Sequence, residues 1–226
     1  MIIKKIYYLL ALFLTLAVAL PASARDFKPD PGRYERDMLR FERADAENYP
    51  PPGCVVFMGS SSIKGWKTLQ EDFKGMDVVL RGYGGSQISD AIYYVERIVV
   101  PYHPTAIVLY AGDNDIGGKG ADVVVADFKE YVRTVNSHIG PRAIYFIAIK
   151  PSIARWKQWP EMKKANAAIE QWAATQDAVY YLDIATPMLG ADGKPRPELF
   201  QEDGLHMTRE GYTVWTDVIK PKIARK

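Results

Sequence analysis

The chain has one cysteine in 226 residues, Cys54, which excludes an intramolecular disulfide framework and a zinc site built from several thiolates. It has little excess of charge: 29 lysines and arginines face 27 aspartates and glutamates. A nucleic-acid surface needs a clear basic excess, so no nucleic-acid partner is expected. Histidine is scarce, with only His103, His138 and His206. Repeats and low-complexity tracts are lacking. A composition 48% hydrophobic and 25% charged excludes disorder and a collagen-like repeat.

Long apolar runs are lacking too, except at the N-terminus. Lys4 and Lys5 precede an apolar stretch from Ile6 to Leu20, broken only by Thr15, and Pro21 leads to Ala22-Ser23-Ala24. A positive start, a short apolar run and small residues are what a signal peptidase reads. Residues 1–24 are therefore expected to be a signal peptide, and the protein exported, periplasmic or secreted. The run is short for a membrane span, which needs about 20 residues; the alternative is an uncleaved anchor. Cleavage after Ala24 leaves 27 cations against 27 anions. A neutral mature protein offers no broad field for anionic surfaces, and no stable membrane insertion is expected after cleavage.

Residues 25–52 are charged, with a helix predicted near Tyr34 to Ala46 and a stiff Pro50-Pro51-Pro52 link. They read as a strap on the domain that follows, residues 53–226; a flexible arm is the competing view. Beyond residue 53, short apolar runs rich in Val, Ile or Tyr alternate with amphipathic stretches. The runs are Cys54 to Met58, Val78 to Leu80, Ala106 to Tyr110, Ala143 to Ile149 and Ala178 to Leu182. They have the character of buried parallel strands. Ile88, Ile92, Val95 and Val99 mark one helix, stopped by Pro101. Val124, Phe128, Tyr131, Val132 and Val135 mark the next, ended by Gly140-Pro141. Met162, Ala165, Ile169, Trp172 and Ala173 mark a third, with Pro160 near its first turn, and Tyr212, Trp215, Val218 and Ile219 a last one, with Thr208 as N-cap. The alternation implies an α/β fold: a five-stranded, mostly parallel sheet with helices on both faces. Trp66, Trp156 and Trp159 fall in predicted loops or at helix starts, where they are expected to line a cleft.

In such a sheet, ligands bind outside the carboxyl ends of the strands. Polar, glycine-rich turns follow the first three runs: Gly59-Ser60-Ser61-Ser62, Gly82-Tyr83-Gly84-Gly85-Ser86 and Gly112-Asp113-Asn114-Asp115. Asp203-Gly204-Leu205-His206 precedes the last helix and can return to the same edge. Singly, each reads as a helix cap or an ordinary turn. Together they meet a chemical requirement. A serine hydroxyl is a poor nucleophile and needs a neighbouring base. His206 is the one histidine with an acid, Asp203, spaced to orient it. Backbone N–H groups in the serine turn and around Gly85, with the Asn114 amide, can hold an oxyanion. His103 and His138 read as structural.

These residues, in this order, resemble the SGNH, or GDSL-type, hydrolases, a family named in the first case for its Ser, Gly, Asn and His. Val55 to Ile63 is similar to the first block. Alignment on Gly59 makes Ser61 the nucleophile, a choice among Ser60, Ser61 and Ser62 that composition leaves open. Arg81 to Ser86 is similar to the second block, with Gly85 at the oxyanion glycine. Gly112 to Asp115 matches the Gly-x-Asn-Asp block, with Asn114 at the oxyanion asparagine, and Asp203 to His206 matches the Asp-x-x-His block. Ser60 stands where many members have Asp; that Asp is not among the name-giving four, so activity is expected to survive. The resemblance implies a flavodoxin-like three-layer α/β/α sandwich and an esterase, lipase or acylhydrolase. It also implies a catalytic Ser61, His206 and Asp203, an oxyanion hole of Ser61, Gly85 and Asn114, and no metal or organic cofactor. The substrate is expected to be a small-molecule, glycan or lipid ester, with a short acyl group because no long apolar lid is evident. Arg155 and Trp156, in the loop after the fourth run, are expected to touch it.

Two rival readings remain. One is a non-catalytic glycan- or lipid-binding module on the same fold, which would not need the whole constellation. The other is a nucleotide-binding protein, weakened by Gln87 standing where the dinucleotide motif has its third glycine.

Overall fold

The computed structural model describes residues 32–223. The predicted signal segment and the first residues of the strap lie outside that range. In chain order the elements are α1 (Glu35–Glu47), β1 (Val55–Gly59), α2 (Ser61–Lys64), α3 (Leu69–Asp72), β2 (Val78–Gly82), α4 (Ile88–Tyr93), α5 (Val95–Ile98), β3 (Ala106–Tyr110), α6 (Ile116–Lys119), α7 (Ala121–Ile139), β4 (Ala143–Ile147), α8 (Trp159–Ala173), β5 (Val179–Leu182) and α9 (Arg209–Ile223). The five strands form one sheet in the order β2-β1-β3-β4-β5. Every neighbouring pair is parallel. Among the described residues no helix is long and apolar enough to cross a membrane.

Side chains alternate across a strand, so β1 feeds two cores. Phe57 packs with Trp66 and Phe73, and Tyr110 on β3 packs against Trp215 of α9. One residue along from Phe57, Met58 meets the Tyr131 hydroxyl of α7 on the opposite face, where Phe128 of α7 also packs on Phe146 of β4. The result is a three-layer α/β/α sandwich whose sheet changes direction beside β1. That switch point is where such sheets open a crevice.

α1 is docked on this sandwich. Met38 and Phe41 are buried, and Asp45 accepts hydrogen bonds from Arg81 and from the Tyr102 hydroxyl, the latter at 2.5 Å. Arg97 clamps its other flank through Glu35 and Glu42.

Three expectations need correction. The helix predicted over Ile88 to Val99 is broken at Tyr94, whose ring is buried edge-on against Tyr34 and Tyr83; tertiary packing prevails over the local period. The fourth strand ends at Ile147 rather than Ile149. Beyond it the Asn166 side chain satisfies both backbone groups of Ile149, at 2.8 and 2.9 Å. Trp66 and Trp159 do not line a cleft. Trp66 is fully enclosed in the core, its indole N–H held by Asp72 at 2.7 Å, and Trp159 is buried at the start of α8. The predicted cap of α9 is present: the Thr208 hydroxyl accepts from Gly211 N–H at 3.3 Å.

Candidate active site

The end of β1 presents three adjacent serines, and the fold gives them different surroundings. Gly59 has φ 140°, and a methyl group on it would fall 1.9 Å from the Tyr110 carbonyl oxygen. Only glycine lets β1 approach β3 this closely. Ser60 is buried, and its hydroxyl has no hydrogen-bond partner among the described residues. Ser62 is buried too and accepts from Lys150 Nζ at 3.2 Å. Ser61, at the first position of α2, is half-buried and faces His206, with Oγ 3.0 Å from Nε2.

His206 is held from behind. Its Nδ1 lies 2.5 Å from Asp203 Oδ2, and Asp203 Oδ1 accepts from the N–H groups of Leu205 and His206 at 2.8 and 2.9 Å. These bonds, that to the imidazole first, lower the Asp203 carboxyl to about 2. The carboxylate stays ionised, so Nδ1 carries the proton and Nε2 is left to accept one. The turn is fixed by Gly204, at φ 62°. A methyl group there would sit 3.1 Å from Ile153 Cβ, and the Gly204 carbonyl accepts from Ala154 N–H at 3.0 Å. The loop after β4 therefore props up the histidine loop.

Asn114 follows β3. One Nδ2–H donates to the Ser86 carbonyl at 3.0 Å, and Gln87 Nε2 donates to the Asn114 carbonyl at 3.2 Å. Asn114 is thereby tied to the turn that carries Gly85, and the second amide hydrogen remains for an incoming oxygen. The Ser61 and Gly85 N–H groups take part in no hydrogen bond among the described residues.

Arg155 is not free to greet substrate as the sequence suggested. Its Nη2 donates to Asn114 Oδ1 at 2.8 Å and its Nη1 to the Asp113 carbonyl; Nη1 also lies 3.3 Å from Asp113 Oδ2. It orients Asn114, because occupying Oδ1 fixes which way the amide points. Trp156, half-buried, stacks on Trp159 with ring centres 6.0 Å apart.

Lys150 and Asp113 are the residues that sequence reasoning missed. Lys150 Nζ, completely enclosed, lies 3.0 Å from Asp113 Oδ2, 3.0 Å from the Tyr110 hydroxyl and 3.2 Å from the Ser62 hydroxyl. It thus fastens the loops after β1, β3 and β4 beneath Ser61 and Asn114. Burial pushes the Asp113 carboxyl up, but Lys150 and Arg155 outweigh it and hold it below its ordinary value. The one available signal was a lysine ending an apolar run, an expensive place for an unpaired charge. Among the described residues no group of three or more His, Cys, Asp and Glu side chains is placed to hold a metal ion.

Residues 47–214 match the model of the GDSL-like lipase/acylhydrolase family. No curated protein matches. Solved structures of similar fold include a GDSL-like lipase from Bacteroides thetaiotaomicron, 22% identical, covering 83% of this chain and 97% of its own, with a TM-score of 0.70. A carbohydrate esterase of family 3 from Talaromyces cellulolyticus is 17% identical over 76% of this chain and 97% of its own, with a TM-score of 0.58. An acetyl esterase variant with bound acetate gives the same four figures.

Proposed function

This chain belongs to the GDSL-like lipase/acylhydrolase family, whose chemistry is ester hydrolysis, and we propose that it is an exported esterase removing short acyl groups through an acyl-serine on Ser61. The observation that carries this reading is the relay in which Ser61 Oγ lies 3.0 Å from His206 Nε2 while Nδ1 lies 2.5 Å from Asp203. His206 takes the hydroxyl proton as Ser61 attacks the ester carbonyl carbon. The oxyanion that forms is held by the N–H groups of Ser61 and Gly85 and by Asn114 Nδ2. Each such donor is worth about 3 kcal/mol in the transition state. When the C–O bond breaks, His206 gives its proton to the departing alkoxide. It then deprotonates water, which attacks the acyl-serine, releases the carboxylic acid and regenerates the hydroxyl. Asp203 keeps the ring in one tautomer and stabilises the imidazolium.

A short acyl group suits the polar surroundings of Ser61, which include Lys64, Asn114 and the Asp203–His206 turn. The carbohydrate and acetyl esterases of similar fold point the same way. Lys4, Lys5 and the run to Ala24 support export. The test is a series of aryl esters from acetyl to palmitoyl, hydrolysed by wild type and by Ser61→Ala. Acetyl to butyryl esters should turn over fastest, and the variant should lose several orders of magnitude in kcat. An equally active variant rules out the acyl-serine; a preference for palmitoyl esters rules out the short-acyl assignment.

A further inference from the structure

Beside the site lies a groove of about 540 Å³, lined by Arg36, Asp37, Arg40, Arg43 and Lys64. Three of these are guanidinium groups at i, i+4 and i+7 on one face of α1. At 1.5 Å per residue, Arg36 and Arg43 are about 10 Å apart along the helix. The one acid in this lining, Asp37, is shared: its Oδ1 receives Arg40 Nη2 at 3.0 Å and Lys64 Nζ at 3.1 Å. Arg36 and Arg43 are exposed and have no carboxylate partner among the described residues. Four cations and one anion leave a local charge of +3 on a chain whose total is only +2.

Lys64 joins the groove to the helix that carries Ser61. Lys64 is on the same turn of α2 as Ser61, three residues on, where side chains are neighbours. A methyl group on Gly84 would lie 3.9 Å from Lys64 Cδ, and one on Gly85 would lie 3.9 Å from Arg33 Nη2. Arg40 Nη2 is 3.5 Å from the carbonyl oxygen of Gly82, at the carboxyl end of β2. The cations therefore begin over the oxyanion turn and lead away along α1. Helix stability does not account for them, since like charges at i+3 and i+4 repel. On its other flank α1 does the opposite and places Glu35 and Glu42 against Arg97.

We infer that this groove binds the alcohol side of the substrate, and that the substrate is an acylated polyanionic glycan or polyol. The acyl group sits at Ser61, and at least two carboxylate or phosphate groups of the polymer lie along Arg36, Arg40 and Arg43. A single phosphate is shorter than the row. Guanidinium forks match carboxylate and phosphate oxygens alike. This rests on the ester-hydrolase reading of Ser61 and adds the class of alcohol it deacylates.

The experiment compares kcat/KM on three O-acetylated polymers: polygalacturonate (carboxylate), polyglycerol phosphate (phosphate) and xylan (neutral). Wild type should favour at least one of the charged polymers by about tenfold or more in low salt, and should lose the preference by about 0.5 M salt as screening shortens to a few ångströms. The charged polymer that gains identifies the anion. In Arg36→Glu/Arg40→Glu/Arg43→Glu the ratio of charged to neutral kcat/KM should fall by at least about tenfold, and the milder Arg→Gln triple variant should show the same direction. Calorimetry of the deacetylated polyanions on Ser61→Ala protein reads the groove without turnover. Turnover of all three polymers with no charge preference, or equal polyanion binding by the triple variants, overturns the inference while leaving Ser61 as nucleophile. Absence of turnover with polyanion binding intact indicts the Ser61 reading instead. Binding to phosphatidylglycerol vesicles, with no binding to either soluble polyanion, also overturns it and reassigns the groove to a membrane surface.

Discussion

Replacing Lys150 by methionine keeps most of the length and bulk of the side chain and removes its charge. The enclosed Asp113 carboxylate then loses its 3.0 Å partner, and the Ser62 and Tyr110 hydroxyls lose theirs. Breaking a buried ion pair from one side costs about 3–5 kcal/mol. Arg155 remains 3.3 Å from Asp113, which puts the expected loss near the lower end, about 3 kcal/mol. In a domain of this size each kcal/mol is worth about 2–4 °C, so thermal unfolding followed by circular dichroism should move down by about 6–12 °C. The loss should depend on pH in a definite sense. In wild type the Asp113 carboxyl is held below its ordinary value. Its contribution is therefore present above the unfolded carboxylate range, near 3.9, and fades as pH falls through the folded value. Without Lys150 the folded value rises, so the gap between variant and wild type should narrow as pH drops from about 7 towards 4. Adding Asp113→Asn removes the stranded charge and should recover most of the stability. A single variant melting within about 2 °C of wild type, with no change of gap across that pH range, refutes the reasoning.

Asn114→Ala removes one oxyanion donor and should lower kcat by about 100- to 1,000-fold with KM little changed, measured on an aryl acetate. Arg155→Met leaves that amide in place but unoriented, and should lower kcat by up to about a hundredfold in the same assay. His206 acts as the neutral imidazole, because a protonated ring cannot accept the serine proton. Asp203, at about 2, is ionised between about pH 5 and 8 and should add no limb to the kcat/KM profile there; a limb in that range that Asp203→Asn removes would contradict this.

The sheet was legible because its strands are buried on both faces and read as bare apolar runs, and the parallel order placed each following turn on one edge. The serine turn and the Asn114 turn were legible because ligands gather at the carboxyl edge of such a sheet, whereas the choice of Ser61 among three serines rested on the family resemblance. What was not legible depends on distant partners. The break at Tyr94 goes with the packing of its ring on Tyr83 and on Tyr34, which lies 60 residues earlier. Lys150 reads as a loop lysine until Asp113, 37 residues earlier, is brought beneath it. Arg155 looks like a substrate contact until Asn114 occupies its guanidinium. That Lys64 joins the α1 arginines in one groove depends on a contact between segments distant in the chain.

The central claim is that the Ser61 hydroxyl, activated by His206, is the atom that attacks. A fluorophosphonate probe tests it with no knowledge of the substrate. Peptide mass spectrometry should find one adduct on Ser61 in wild type, none on Ser61→Ala, and a rate of labelling at least about a hundredfold slower in His206→Ala. An adduct on Ser60 or Ser62, or undiminished labelling of His206→Ala, would contradict the account.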